Sequence, residues 1–215
     1  MDWGNSYYTM SETNNLYIWH FLKKCNEKGW LYKGSRSLPW CIRCGTSSSK
    51  HEMSDDGYAE LVHPSVYVKA KIKGRENEYL LIWTTTEWTL SSNIAAAVNP
   101  NNNYVQVRKG KDIYYISEGT LGKLGSDSLV LENLKGADLV GLEYESFYPE
   151  IEVQKGLTHR VIPWDEVGEK DGTGIVHIAP NCGQEDYELG KKLKLKILEP
   201  TLDEFGNYNK GFGWL

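Results

Sequence analysis

The feature that most constrains this chain is a change of period near residue 65. In "SVYVKAKIKG", Val66, Val68, Ala70 and Ile72 alternate with Tyr67, Lys69, Lys71 and Lys73. A two-residue period puts apolar side chains on one face of an extended strand and polar ones on the other, and a helix cannot satisfy it. Further short runs follow: "EYLLIWTTT", "NIAAAV", "NYVQVRKG", "KDIYYISEG", "SFYPEIEVQKG", "THRVIPW" and "GTGIVHIAP". Gly, Asn and Pro separate them, as turns require. Short strands punctuated this way predict a mainly β barrel or sandwich rather than alternating βαβ units.

Helices are peripheral to this pattern. "SETNNLYIWHFLKKCNEKG" predicts one, capped by Ser11, with Leu16, Trp19 and Leu22 along one face and Gly29 as its stop. "GQEDYELGKKLKL" predicts another, with the acidic start and basic end that the helix dipole favours. The tail "LEPTLDEFGNYNKGFGWL" reads as a hairpin turning near Phe205-Gly206-Asn207. A polar, Gly/Ser-rich stretch near residues 45–60 marks a boundary and divides the chain into 1–50 and 51–215.

Bulk properties exclude several classes. The 215 residues are 40% hydrophobic and 25% charged, enough for a soluble domain with a core. No apolar run approaches the length of a membrane span, and "MDWGNSYYTMSETNN" has no basic segment leading into an apolar one, so no secretory signal is expected. The net charge of -5 argues against a general nucleic-acid binder, which neutralises phosphates with a basic face. Of four cysteines only Cys41 and Cys44 form a C-x-x-C pair, which is no disulfide framework and points to a reducing cytoplasm.

Two stretches carry candidate chemistry. "WTTTEWTLSSN" crowds small hydroxyls between and after Trp83 and Trp88. "GTGIVHIAPNCGQEDYELG" places Ile175, His177 and Ala179 on one strand face, then Asp186 beside Glu185 at the start of a helix. Taken singly, both read as structure. Consecutive threonines suit strands and turns, a strand histidine is usually a packed one, and an early helical carboxylate complements the dipole. No G-x-S-x-G elbow, phosphate loop or dinucleotide fingerprint is present.

Taken together, the two stretches resemble the editing domain inserted in the class I isoleucyl-, valyl- and leucyl-tRNA synthetases. That family shows W-T-T-T-x-W-T-L-x-x-N running on to V-N-P, and G-T-G-x-V-H-x-A-P-x-x-G-x-x-D-Y; this chain matches them from Trp83 to Pro100 and from Gly172 to Tyr187. The V-H-x-A-P form resembles the isoleucyl branch. "MDWGNSYYTM" and "GWLYKGSRSLPWCIRCGT" resemble the connection entering the insertion, so the likeness covers nearly the whole chain. It implies a closed or nearly closed β-barrel editing domain over 51–215, after a helical, zinc-ribbon-like connector over 1–50. No HIGH-type or KMSKS-type signature occurs. ATP and Mg would therefore belong to a synthetic domain outside this chain, which is expected to hydrolyse a mischarged tRNA and not to charge one.

The implied substrate is valyl-tRNA(Ile), presented by its 3′ adenosine. Isoleucine against valine on the isoleucyl enzyme is itself the standard case of weak discrimination by one methylene, roughly 150-fold. A second, smaller site must then reject isoleucine and hydrolyse the valyl ester. By the resemblance, Asp186 holds the α-ammonium, and Thr84, Thr85 and Thr86 line the pocket, with Thr85 and Thr86 acting beside Asp186. Trp88 contacts substrate, Asn93 holds the loop or the adenosine, and His177 forms a wall that excludes the larger side chain. Water attacks, with help from a ribose hydroxyl, and no cofactor is needed for editing. The partners implied are the 3′ end of tRNA(Ile) carrying valine and the remainder of the synthetase, with no membrane and a monomeric state.

Cys41 and Cys44 are spaced as two zinc ligands, but a tetrahedral site needs four. His51 is a candidate third, a further cysteine pair of the family can lie beyond this segment, and free thiols are the alternative. The chain departs from the family's pattern at Glu87 and Ser91, where prolines are usual. Two other readings stay open: a valyl- or leucyl-type editing domain, and a non-catalytic module that positions the tRNA 3′ end.

Overall fold

The computed structural model describes residues 4, 6–49, 51–52 and 59–213. They fall into two compact units, one ending at Arg36 and the other beginning at Ser37.

The first unit is built on α1 (Glu12–Glu27). Ser11 caps it, its Oγ accepting the Asn14 N–H at 3.2 Å. Gly29 follows at φ +68°, a conformation that ends a helix without a Cβ clash. No residue of α1 is buried, and Leu16, Trp19 and Phe21 are all exposed. The apolar stripe read from the sequence is present, and within its own unit it finds no core.

The second unit is mainly β. It opens with a small antiparallel hairpin, β1 (Trp40–Cys41) on β2 (Thr46–Ser47), with Cys44 in its turn. Five strands then form one sheet in the order β3-β4-β7-β6-β8: β3 (Val66–Lys71), β4 (Glu78–Thr84), β6 (Asn103–Lys109), β7 (Asp112–Ser117) and β8 (Leu129–Lys135). A second sheet runs β11-β5-β10-β9, from β5 (Ala95–Val98), β9 (Glu143–Tyr144), β10 (His159–Pro163) and β11 (Val176–Ile178). Two pairs are parallel, β4 with β7 and β10 with β5. A helical turn, α2 (Gly136–Leu139), and α3 (Gln184–Leu193) complete it.

The alternation in the sequence becomes layered packing. Ala70, Ile72, Leu80 and Ile82 of the first sheet meet Ala96, Val98, Val161 and Ile175 of the second in one shared core. The opposite side of the second sheet, Ala95, Ala97, Ile162 and Ile178, packs on Leu189 of α3. β5 is thus covered on both faces, which is why it reads as an unbroken apolar run with small side chains.

Three expectations are corrected here. The barrel does not close. The bridge Ile72 to Tyr144 joins one edge of each sheet, and among the described residues no ladder joins their other edges, β8 and β11. β8 is exposed along nearly its whole length, and β11 is only three residues long. The zinc-ribbon-like connector is reduced to the β1–β2 hairpin. No group of three or more His, Cys, Asp or Glu that could hold a metal ion occurs among the described residues. The tail hairpin shrinks to one bridge, Leu202 to Tyr208, around a loop in which Asp203 Oδ1 accepts the Phe205 and Asn207 amides. No helix among the described residues is long and apolar enough to cross a membrane.

Candidate functional site

The two candidate stretches, far apart in sequence, meet. β4 ends at Thr84, and Glu87–Ser92 winds directly into a 3-10 turn. The hydroxyls of this corner bond one another. Thr84 Oγ1 accepts the Thr86 N–H at 3.0 Å and lies 3.2 Å from Thr86 Oγ1. Thr89 Oγ1 donates to the Thr86 carbonyl at 2.7 Å and lies 3.2 Å from Thr86 Oγ1. With three residues per turn, Thr86 and Thr89 share one side of the 3-10 turn.

His177, on β11, completes the chain of contacts: its Nε2 is 2.9 Å from Thr89 Oγ1. The imidazole is 8% exposed, and burial pushes its pKa down to about 4, so it is neutral at pH 7. Two further bonds tie the stretches together. The Ile94 amide donates to the Ile178 carbonyl at 2.8 Å. Asn181 Nδ2 reaches Ser92 Oγ at 3.2 Å.

The glycines of "GTG" make this approach possible. Gly174 has φ +71°, and a Cβ there would stand 2.3 Å from Ser117 Cβ; at Gly172, with φ +54°, it would meet the Trp83 ring at 2.8 Å. Both positions need the missing side chain. Trp83 therefore packs behind the site.

Asp186 lies in the first turn of α3, and its Oδ2 accepts the Ala179 N–H at 2.8 Å. The carboxyl is half-buried. Burial raises its pKa, the Ala179 amide opposes that, and Glu185 adds to it. Its charge is thus held where an added cation would relieve it. In the same loop, burial pushes the Cys182 thiol pKa up.

The remaining candidates are placed differently. Thr85 is exposed, and no hydrogen bond of the threonine network among the described residues runs through it. Asn93 is 1% exposed, with Nδ2 donating to the Ala95 carbonyl and Oδ1 accepting the Tyr144 hydroxyl, so its amide holds the loop. Trp88 and Glu87 line an open cleft of ≈ 140 Å³ with Ser91, Tyr148, Tyr208 and Phe212, and none of Thr84, Thr86, Thr89, His177 or Asp186 lines it. Thr89 was not among the candidates read from the sequence. Its signal was the spacing of three from Thr86 in a segment that coils as a 3-10 turn.

In this β unit a buried histidine of the second sheet meets a hydroxyl cluster at the end of β4 in the first. The chain belongs to the class I tRNA synthetases (I, L, M and V), whose family model matches residues 1–149. It is similar to the isoleucine–tRNA ligases of Pyrococcus abyssi (41% identical, 98% of this chain, 21% of that protein) and Picrophilus torridus (39%, 100% and 21%). The corresponding ligase of Clostridium novyi is 41% identical over 92% of this chain and 19% of its own length. The chain thus spans about a fifth of the length of the curated relatives it matches. Among solved structures it is similar to the GlLeuRS-CP1 crystal structure (TM-score 0.47, 20% identity, 54% of this chain and 45% of that one). The P. knowlesi cytosolic leucyl-tRNA synthetase editing domain gives a TM-score of 0.44 at 21% identity over 54% and 52%.

Proposed function

We propose that this chain is an editing domain that hydrolyses the ester of valyl-tRNA(Ile). The observation that carries the reading is the Thr84–Thr86–Thr89–His177 network, which joins the two stretches that resemble editing motifs. In this reading the half-buried Asp186 carboxylate takes the α-ammonium of the aminoacyl group, a charge-assisted contact that orients the ester. The threonine hydroxyls bond the ester or the attacking water. His177, neutral and packed, limits the side chain.

Water adds to the ester carbonyl, the bond to the ribose oxygen breaks, and that oxygen leaves with a proton, giving valine and free tRNA. The protein contributes position and fixed dipoles rather than a covalent intermediate. Cys41 and Cys44 alone do not fit a four-ligand zinc site, and no step uses a metal. The partners in this reading are the 3′ end of tRNA(Ile) carrying valine and the rest of a ligase. The test is deacylation of valyl- and isoleucyl-tRNA(Ile) by the purified chain. Release of valine but not isoleucine is expected; release from a leucyl- or valyl-tRNA acceptor instead would assign it to another branch, and no release would remove the hydrolytic role.

A further inference from the structure

We propose that Thr89 is the positioning residue that holds the His177 imidazole in one tautomer and one ring orientation, and so sets the side-chain limit of the site. The inference rests on the editing reading.

It follows from counting protons. A carbonyl only accepts, so the 2.7 Å contact with the Thr86 carbonyl takes the single hydroxyl proton of Thr89. Toward His177 Nε2, at 2.9 Å, Thr89 Oγ1 is then an acceptor, and Nε2 must carry the ring hydrogen. Nδ1 is left with a lone pair. That atom is buried and has no hydrogen-bond partner among the described residues. With Nδ1 unpaired, no bond to the ring's other nitrogen competes with the one to Thr89. A half-turn of the ring would exchange Nε2 for a carbon and lose that bond. Thr89 therefore decides which edge of the imidazole faces the hydroxyl cluster. Its own hydroxyl is fixed by the 3-10 turn, so the turn and the β11 side chain move as one.

The test combines ring NMR with deacylation, using the full chain, Thr89→Val and Thr89→Ser. His177→Gln identifies the His177 signals, and Thr89→Ala stands in if the valine variant does not fold. The Nε2–H tautomer is expected in the parent and in Thr89→Ser, and a mixed or reversed one in Thr89→Val. The ratio of isoleucyl to valyl ester hydrolysis should rise about ten-fold in Thr89→Val and stay within about two-fold in Thr89→Ser, the scale of one lost hydrogen bond. An unchanged tautomer in Thr89→Val, or a changed tautomer with an unchanged ratio, would overturn the proposal. If the parent hydrolyses neither ester, the editing reading fails, and with it the claim that Thr89 sets a substrate limit. The NMR arm then still decides whether Thr89 fixes the ring.

Discussion

Thr89 Oγ1 lies 2.9 Å from His177 Nε2, across 88 residues of chain. This contact makes the corner after β4 and the strand β11 a single wall, backed by the Ser92–Asn181 contact at its other end. Substitutions on either stretch should therefore be read at the shared site.

Replacing His177 with alanine should admit the larger substrate. Hydrolysis of isoleucyl-tRNA(Ile) is expected to rise about 10–200-fold, the range one methylene commands in a closed pocket. Single-turnover deacylation measures it. Isoleucyl ester that stays intact in a folded His177→Ala variant would show that another group sets the size limit.

Asp186→Asn keeps an oxygen to accept the Ala179 amide and removes the charge. Valyl ester hydrolysis should fall about ten-fold or more, since a hydrogen bond to a charged group contributes about 1.5–3 kcal/mol. Circular dichroism should show an unchanged fold. Undiminished hydrolysis would take Asp186 out of the ammonium role.

Stability should fall in mild acid. The folded-state pKa of His177 is about 4, below the ordinary 6.5. Between these values the unfolded chain binds a proton that the folded chain does not, so the contribution is full above pH 6.5 and is lost as the pH drops toward 4. This one residue accounts for about 3 kcal/mol across that window. Burial lowers the His159 pKa as well, which adds in the same direction. Asp186, whose pKa is raised, acts in the opposite sense, because folding favours its protonated form. Urea midpoints compared at about pH 7.5 and about pH 5 should show the loss in the parent and a smaller loss in His177→Gln.

Gly174→Ala should be strongly destabilising. The substitution brings a Cβ to 2.3 Å from Ser117 Cβ at φ +71°. Left-handed strain and overpacking together amount to about 2–5 kcal/mol. A thermal or urea midpoint equal to the parent's would mean the loop moves freely away from β7.

Much of the fold was legible because it is local. The β3 alternation, the Ser11 cap and the acidic-to-basic run of α3 each follow from side-chain period or terminal electrostatics over a few residues. Closure of the barrel was not legible. It depends on whether β8 and β11 approach, which no segment encodes by itself. Of the motif residues, Thr84, Thr86 and His177 share one hydrogen-bond network, whereas Asn93 looked the same on the page and belongs with Tyr144 in the core.

The sequence by itself determined the β-rich character, the two motif-bearing stretches and the membership in the class I synthetase group. Only the tertiary structure decided which hydroxyl meets the histidine. A hydrogen bond between Thr89 and His177 requires two backbones to converge within a few ångströms. That convergence is set by the β5–β11 ladder, the side-chain-free approach at Gly172 and Gly174, and the burial that keeps the ring neutral. Those are properties of packing between segments, and periodicity along one segment does not contain them.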